Sequence, residues 1–220
     1  MRKLVCILAI LLCSCAKQQV EVNEPITTLP TKENPQSTLM SESPIDATTI
    51  EDYLFLENTV YIDTREVNQF NEEGHIAGFV NIPFYEAIAG VKKTEGVLFN
   101  MDKPKDENGN YIANLGDVNS FVANYEESIQ MMKFLFPEDK NIVIISTAGV
   151  EATYLMNLLI QLGYDASKLY NAGCYSNGIG DAPAYRLLEN TKYKVNGQNI
   201  FSMDYTINWG ELTPITPITN

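Results

Sequence analysis

Four β-branched residues in a row, Ile142-Val143-Ile144-Ile145, constrain this chain more than any other stretch. A strand with one solvated face alternates apolar and polar side chains, whereas an unbroken apolar run marks a strand covered on both faces. The run follows the polar turn Glu138-Asp139-Lys140. It leads through Ser146-Thr147-Ala148-Gly149 into a helical pattern over 150–162, with Leu155, Leu158, Leu159 and Leu162 as its stripe and Gly163 as its stop. A doubly covered strand feeding a helix belongs in a parallel sheet. Val60-Tyr61-Ile62, Phe79-Val80-Asn81-Ile82 (ended by Pro83) and the segment 168–173 supply further strands. Thr48 or Thr49 is a candidate cap for a short helix through 50–55, and 67–73 suits a short helix with Phe70 inward. The spacing of Phe121, Tyr125, Ile129, Met132 and Phe136 predicts a helix over 121–136. Alternating strands and helices give an α/β fold: an open, mostly parallel sheet flanked by helices.

The N-terminus reads as an export signal. Met1-Arg2-Lys3 is a short basic start, and the apolar run after it is too short to span a bilayer. Leu12-Cys13-Ser14-Cys15 then has the form of a bacterial lipobox, which implies cleavage after residue 14 and acylation of Cys15. Two or three acyl chains anchor a protein stably where one is marginal. Residues 1–14 are therefore expected to be a lipoprotein signal peptide and 15–46 a lipidated flexible linker, since polar and proline residues there isolate every apolar one. The expected location is the bacterial cell envelope, with the outer membrane favoured where the host has one, because Ala16 is not an aspartate. Of four cysteines, Cys6 and Cys13 leave with the signal and Cys15 is lipidated, so Cys174 is the one thiol left and no internal disulfide forms.

The folded part is expected over 47–186, with an insertion at about 87–119 and a C-terminal extension over 187–220. Asn108-Gly109 is a type I′ hairpin signal inside the insertion, and Asn196-Gly197 marks a second hairpin between 193–195 and 199–201. Pro214 and Pro217 mark a frayed end.

Three pieces occur in a fixed order: Tyr61-Ile62-Asp63-Thr64-Arg65-Glu66, then Gly74-His75-Ile76-Ala77-Gly78 with Asn81-Ile82-Pro83, then the loop Ser146-Thr147-Ala148-Gly149-Val150-Glu151. In that order they resemble the rhodanese (sulfurtransferase) domain family. The resemblance implies that the loop is the active site, with a persulfide-forming cysteine at its first position and commonly an arginine at its sixth. Here those positions hold Ser146 and Glu151. A serine hydroxyl cannot carry a persulfide, and a carboxylate opposes thiosulfate, phosphate or arsenate. The resemblance gives Asp63, Arg65 and His75 a bracing role in the fold.

Rival chemistries find little support. A Ser146 hydrolase needs a base within reach, and the single histidine, His75, is placed in the turn before the second strand. Cys174 is a core-filling cysteine, a relocated thiol or an intermolecular disulfide partner, with the core role favoured; no basic residue stands beside it in sequence to lower its pKa. Asp102, Asp106, Glu107 and Asn108 miss the EF-hand spacing, and no metal site, phosphate loop or dinucleotide motif is present, so no cofactor is expected. With 28 acidic against 15 basic residues the chain lacks a basic face for nucleic acid. The reading is a membrane-anchored exported protein with a catalytically degenerate rhodanese-like domain, leaning against enzymatic activity. It is expected to act as a binding or assembly module for an envelope protein partner. A residual or altered sulfurtransferase or hydrolase, and a binder of small neutral ligands, are the alternatives.

Overall fold

A computed structural model describes residues 25–91, 96–102, 106–109, 120–198, 204 and 206–215. The signal sequence and Cys15 lie outside these residues. Among them no helix is long and apolar enough to cross a membrane.

The elements in chain order are β1 (Thr59–Asp63), α1 (Val67–Glu72), β2 (His75–Ile76), β3 (Val80–Asn81), β4 (Ala89–Gly90), β5 (Phe99–Asp102), β6 (Ser120–Ala123), α2 (Ser128–Leu135), β7 (Asn141–Ser146), α3 (Val150–Gln161), β8 (Leu169–Cys174) and β9 (Lys194–Val195). The main sheet has the order β3-β1-β7-β8, and every pair in it is parallel. β7 therefore sits between two neighbours. Its side chains divide as a period of two requires. Ile142 and Ile144 enter a core with Leu155, Leu158 and Leu159 of α3 and Met132 of α2. Val143 and Ile145 face the other way, into a core with Ile50, Tyr61, Tyr170 and Tyr185. The mostly parallel α/β sheet flanked by helices is thus the fold.

Several local expectations need correction. The helix predicted over 121–136 is instead strand β6, a turn and the shorter α2. Phe121 and Tyr125 are buried at helical spacing, but β6 pairs antiparallel with β5, and the ladder takes the backbone bonds that a helix would have made. Ser128 accepts from Tyr125 N at 3.1 Å and donates to Leu98 O at 2.8 Å, so the helix begins only there. Consequently Val122 and Phe134 are exposed.

Strands β5 and β6 make the insertion an antiparallel pair, with β4 beside β5 in parallel. Asn108-Gly109 is not a type I′ turn. Gly109 N closes onto Asp106 O at 3.0 Å, and of the two residues Gly109 alone has a positive φ, whereas type I′ needs one at both central positions. Of the second expected hairpin, the described strand β9 pairs antiparallel with β2, and the return strand expected at 199–201 lies outside the described residues. Pro214 is bridged to Tyr125, and Ile215 N donates to Asn124 O at 2.9 Å, so the chain is pinned through 215.

The largest correction concerns the linker. Residues 25–46 do not behave as a tether; they form a strap along the edge strand β8, from Leu169 to Gly173. Lys32 is buried, and its Nζ donates to Pro35, Ser37, Ala166 and Leu169 carbonyls at 2.7–3.1 Å. Ile45 and Ala47 join the second core. Asp46 caps the following turn, its Oδ1 accepting from Thr48 N at 2.8 Å and Thr49 N at 3.1 Å, so neither threonine is the capping group. The apolar residues here are few, but a buried ammonium shared among backbone carbonyls fixes the segment where composition alone indicates a coil.

Candidate functional site

The loop 146–151 lies where the central strand β7 hands over to α3, at the carboxyl end of the parallel sheet, the usual place for a site in an open α/β fold. Two left-handed glycines shape it. Gly149, at φ +81, precedes the first turn of α3, and a Cβ there would stand 2.9 Å from Met40 Sδ. Gly173, at φ +88, lies where the β7–β8 register slips between Ile144 and Ser146. That extra residue brings Cys174 opposite Ser146.

Ser146 is fully buried, and its Oγ takes no hydrogen bond from any described residue, His75 included. Its carbonyl accepts from Tyr175 N at 2.8 Å. Thr147 O accepts from Asn177 N at 2.9 Å, which ties the loop to the segment after β8. Glu151, in the first turn of α3, also holds an unpartnered buried oxygen, Oε2. So the first and sixth positions of the loop each carry a polar atom that no described residue satisfies. Such an atom in a protein interior marks a site that something else fills or a strain that is tolerated.

Cys174 is 1% exposed, and its Sγ lies 3.5 Å from Met40 Sδ. Burial pushes its thiol pKa up, with the negative charge of Glu151 adding to the effect. The backbone N–H of Ile179 opposes these influences but does not outweigh them, and no cation among the described residues adds to it, so the environment is the reverse of one that activates a thiol.

Asp63, Arg65 and His75 stand apart from the loop's interior. Asp63 and Arg65 form a buried fork, with Nε to Oδ1 at 3.0 Å and Nη2 to Oδ2 at 2.7 Å. Arg65 also donates to Gly74 O at 2.8 Å, and its guanidinium lies 3.6 Å from the centre of the Tyr175 ring. Nη1 reaches Glu73 at 3.4 Å, and the Glu73 carboxylate accepts from Ser176 Oγ. This constellation joins the end of β1, α1 and the segment after β8. His75 is in β2 rather than in a turn. It stacks on Phe70 with ring centres 4.0 Å apart, and burial lowers its pKa so that it is neutral at pH 7.

The strap completes the site from above. Thr38 O accepts from Thr153 Oγ1 at 3.1 Å and Asn171 Nδ2 at 3.3 Å, and Met40 lies over Gly149 and Gly173. Between strap and loop is a cleft of about 460 Å³ with Leu39, Met40, Asp46, Val150, Ile179 and Asp181 among its walls. Sequence reasoning missed this arrangement, because the strap carries no periodic signal. Among the described residues no group of His, Cys, Asp and Glu side chains is placed to hold a metal ion.

The sequence profile of the rhodanese-like domain matches residues 46–179, well over half of the chain. No curated protein and no solved structure matches it. The chain belongs to the rhodanese-like domain family, and the strap that covers its loop lies almost wholly before the matched residues.

Proposed function

We propose that this rhodanese-like protein is a lipid-anchored component of the bacterial cell envelope whose domain has given up sulfur transfer and works as a binding or assembly module. The observation that carries the reading is the loop itself. Its first residue, Ser146, offers a buried hydroxyl with no base beside it, and its sixth, Glu151, offers a carboxylate where an anionic sulfur donor needs a cation. Sulfur transfer from thiosulfate requires a thiolate that attacks the outer sulfur, holds it as a persulfide and releases sulfite. Ser146 supplies no thiolate, and Cys174 is shielded by Met40 and held protonated by burial. A Ser146 hydrolase lacks support too, since no described residue hydrogen-bonds Ser146 Oγ to act as its general base.

The anchor rests on Leu12-Cys13-Ser14-Cys15. Partner contact through an envelope protein and the absence of nucleic-acid binding follow from this location and from the net charge of −13. A second reading, small-ligand binding, is favoured by the cleft between strap and loop. The anchor is tested by Cys15→Ala, which is expected to abolish metabolic labelling with a palmitate analogue and release the protein from membranes; labelling that persists contradicts it. Sulfur transfer is tested by thiocyanate formation from thiosulfate and cyanide, for which the wild-type chain is expected to stay at the buffer rate.

A further inference from the structure

The cleft beside the loop has a defined chemistry. Its volume of about 460 Å³ falls inside the range of roughly 300–1,000 Å³ typical of small-molecule sites. Leu39, Met40, Val150, Ile179 and Ala182 give it an apolar lining, and among the described residues no lysine, arginine or histidine contributes to its walls. The polar groups are mostly committed elsewhere. Thr153 Oγ1 donates to Thr38 O and Gly149 O and accepts from Asn171, while Ser43 Oγ bonds both N and O of Ile45. Asp46 takes its four bonds from Thr48 and Thr49 on Oδ1, which leaves Oδ2 without a partner among the described residues. Asp181 is exposed at the rim.

What the cleft presents is thus a hydrophobic body with carboxylate oxygens as acceptors. The α3 N-terminus beside it attracts negative charge only weakly, and Glu151 in the first turn already answers it. Two further carboxylates turn the balance against an anion. The strap forms one wall outright, so the site exists only while the strap is docked.

We propose that the strap and the start of α3 together form a binding cleft for a small, apolar-bodied molecule carrying an ammonium or neutral hydroxyl group, and that this cleft rejects anions. The proposal rests on the small-ligand reading above and gives it a ligand class. Cyclohexylammonium, cyclohexanol and cyclohexanecarboxylate share one body and differ in head group, so thermal shifts of the full chain with each probe separate the possibilities.

Cyclohexylammonium is expected to raise the melting temperature most and cyclohexanol less. The carboxylate and thiosulfate are expected to leave it unchanged. Asp181→Asn is expected to weaken the ammonium about twofold to fivefold, the scale of a rim-exposed charge pair, and to leave cyclohexanol unaffected. Ala182→Trp fills the cleft and is expected to abolish both shifts; if that variant melts early, Ser41→Trp blocks the cleft from the strap side. Carboxylate binding as tight as ammonium binding, shifts that survive blocking, or no shift with any probe would overturn the proposal. Thiocyanate formation by the wild-type chain bears on the loss of catalysis alone, so the two failures are distinguishable.

Discussion

His75 and Cys174 show how burial sets the chemistry of single groups here. His75 is the one histidine in the chain, and desolvation lowers its folded pKa below the unfolded value of about 6.5. The unfolded state therefore binds more protons between the two pKa values, so stability rises with pH through that window and is lost as pH falls. Asp46 and Glu51 have lowered pKa values too, but they act below about 4.5. A denaturant series is expected to show stability falling as pH drops below about 6.5, and His75→Gln is expected to flatten that fall; an unchanged slope in the variant contradicts the assignment. Cys174 has the opposite displacement, a raised thiol pKa. Iodoacetamide at pH 8 is expected to leave it intact in the native protein and to label it on unfolding. Fast labelling of the folded chain would instead make it a relocated reactive thiol. Asp63, Arg65 and His75 were identifiable from their motifs, but the partners of Arg65 were not. Glu73, Tyr175 and Ser176 lie from 8 to 111 residues along the chain, and no spacing rule joins them.

At the scale of elements, legibility follows hydrophobic periodicity. β7 and α3 are unambiguous because β7 is apolar on both faces and α3 repeats leucine at helical spacing. The segment 121–136 misleads because aromatic residues at positions such as Phe121 and Tyr125 fit a helix and a strand followed by a turn equally well. The strap is illegible for a different reason. Part of its hold on the sheet comes from Lys32, which joins two carbonyls of the strap, Pro35 and Ser37, to those of Ala166 and Leu169, backbone acceptors that no side-chain pattern reveals. Lys32→Met removes the shared donor and leaves buried carbonyls unpaired, at about 1–3 kcal/mol for each one water cannot reach. The variant is expected to be cut within 25–45 by limited proteolysis while the sheet stays resistant. Equal resistance of the strap in both proteins would show that apolar contacts such as Ile45 hold it without the lysine.

On the scale of the whole molecule, the domain places its loop at the carboxyl end of a parallel sheet and covers it with a segment that joins directly to the N-terminal region carrying Cys15. The strap thus precedes the matched family residues in sequence and supplies one wall of the cleft beside the loop. The family fold was readable from the order of its motifs. Its closure by the strap was not, because that depends on contacts between residues more than a hundred positions apart, such as Thr38 with Thr153. In the proposed function, two side chains, Ser146 and Glu151, account for the loss of sulfur transfer in this fold. Thiocyanate formation from thiosulfate and cyanide, measured side by side for the wild type, Ser146→Cys and Ser146→Cys/Glu151→Arg, tests it most directly. The wild type is expected at the buffer rate, the single variant barely above it, and the double variant clearly higher, since it restores nucleophile and cation together. A wild-type rate equal to that of the double variant would contradict the claim.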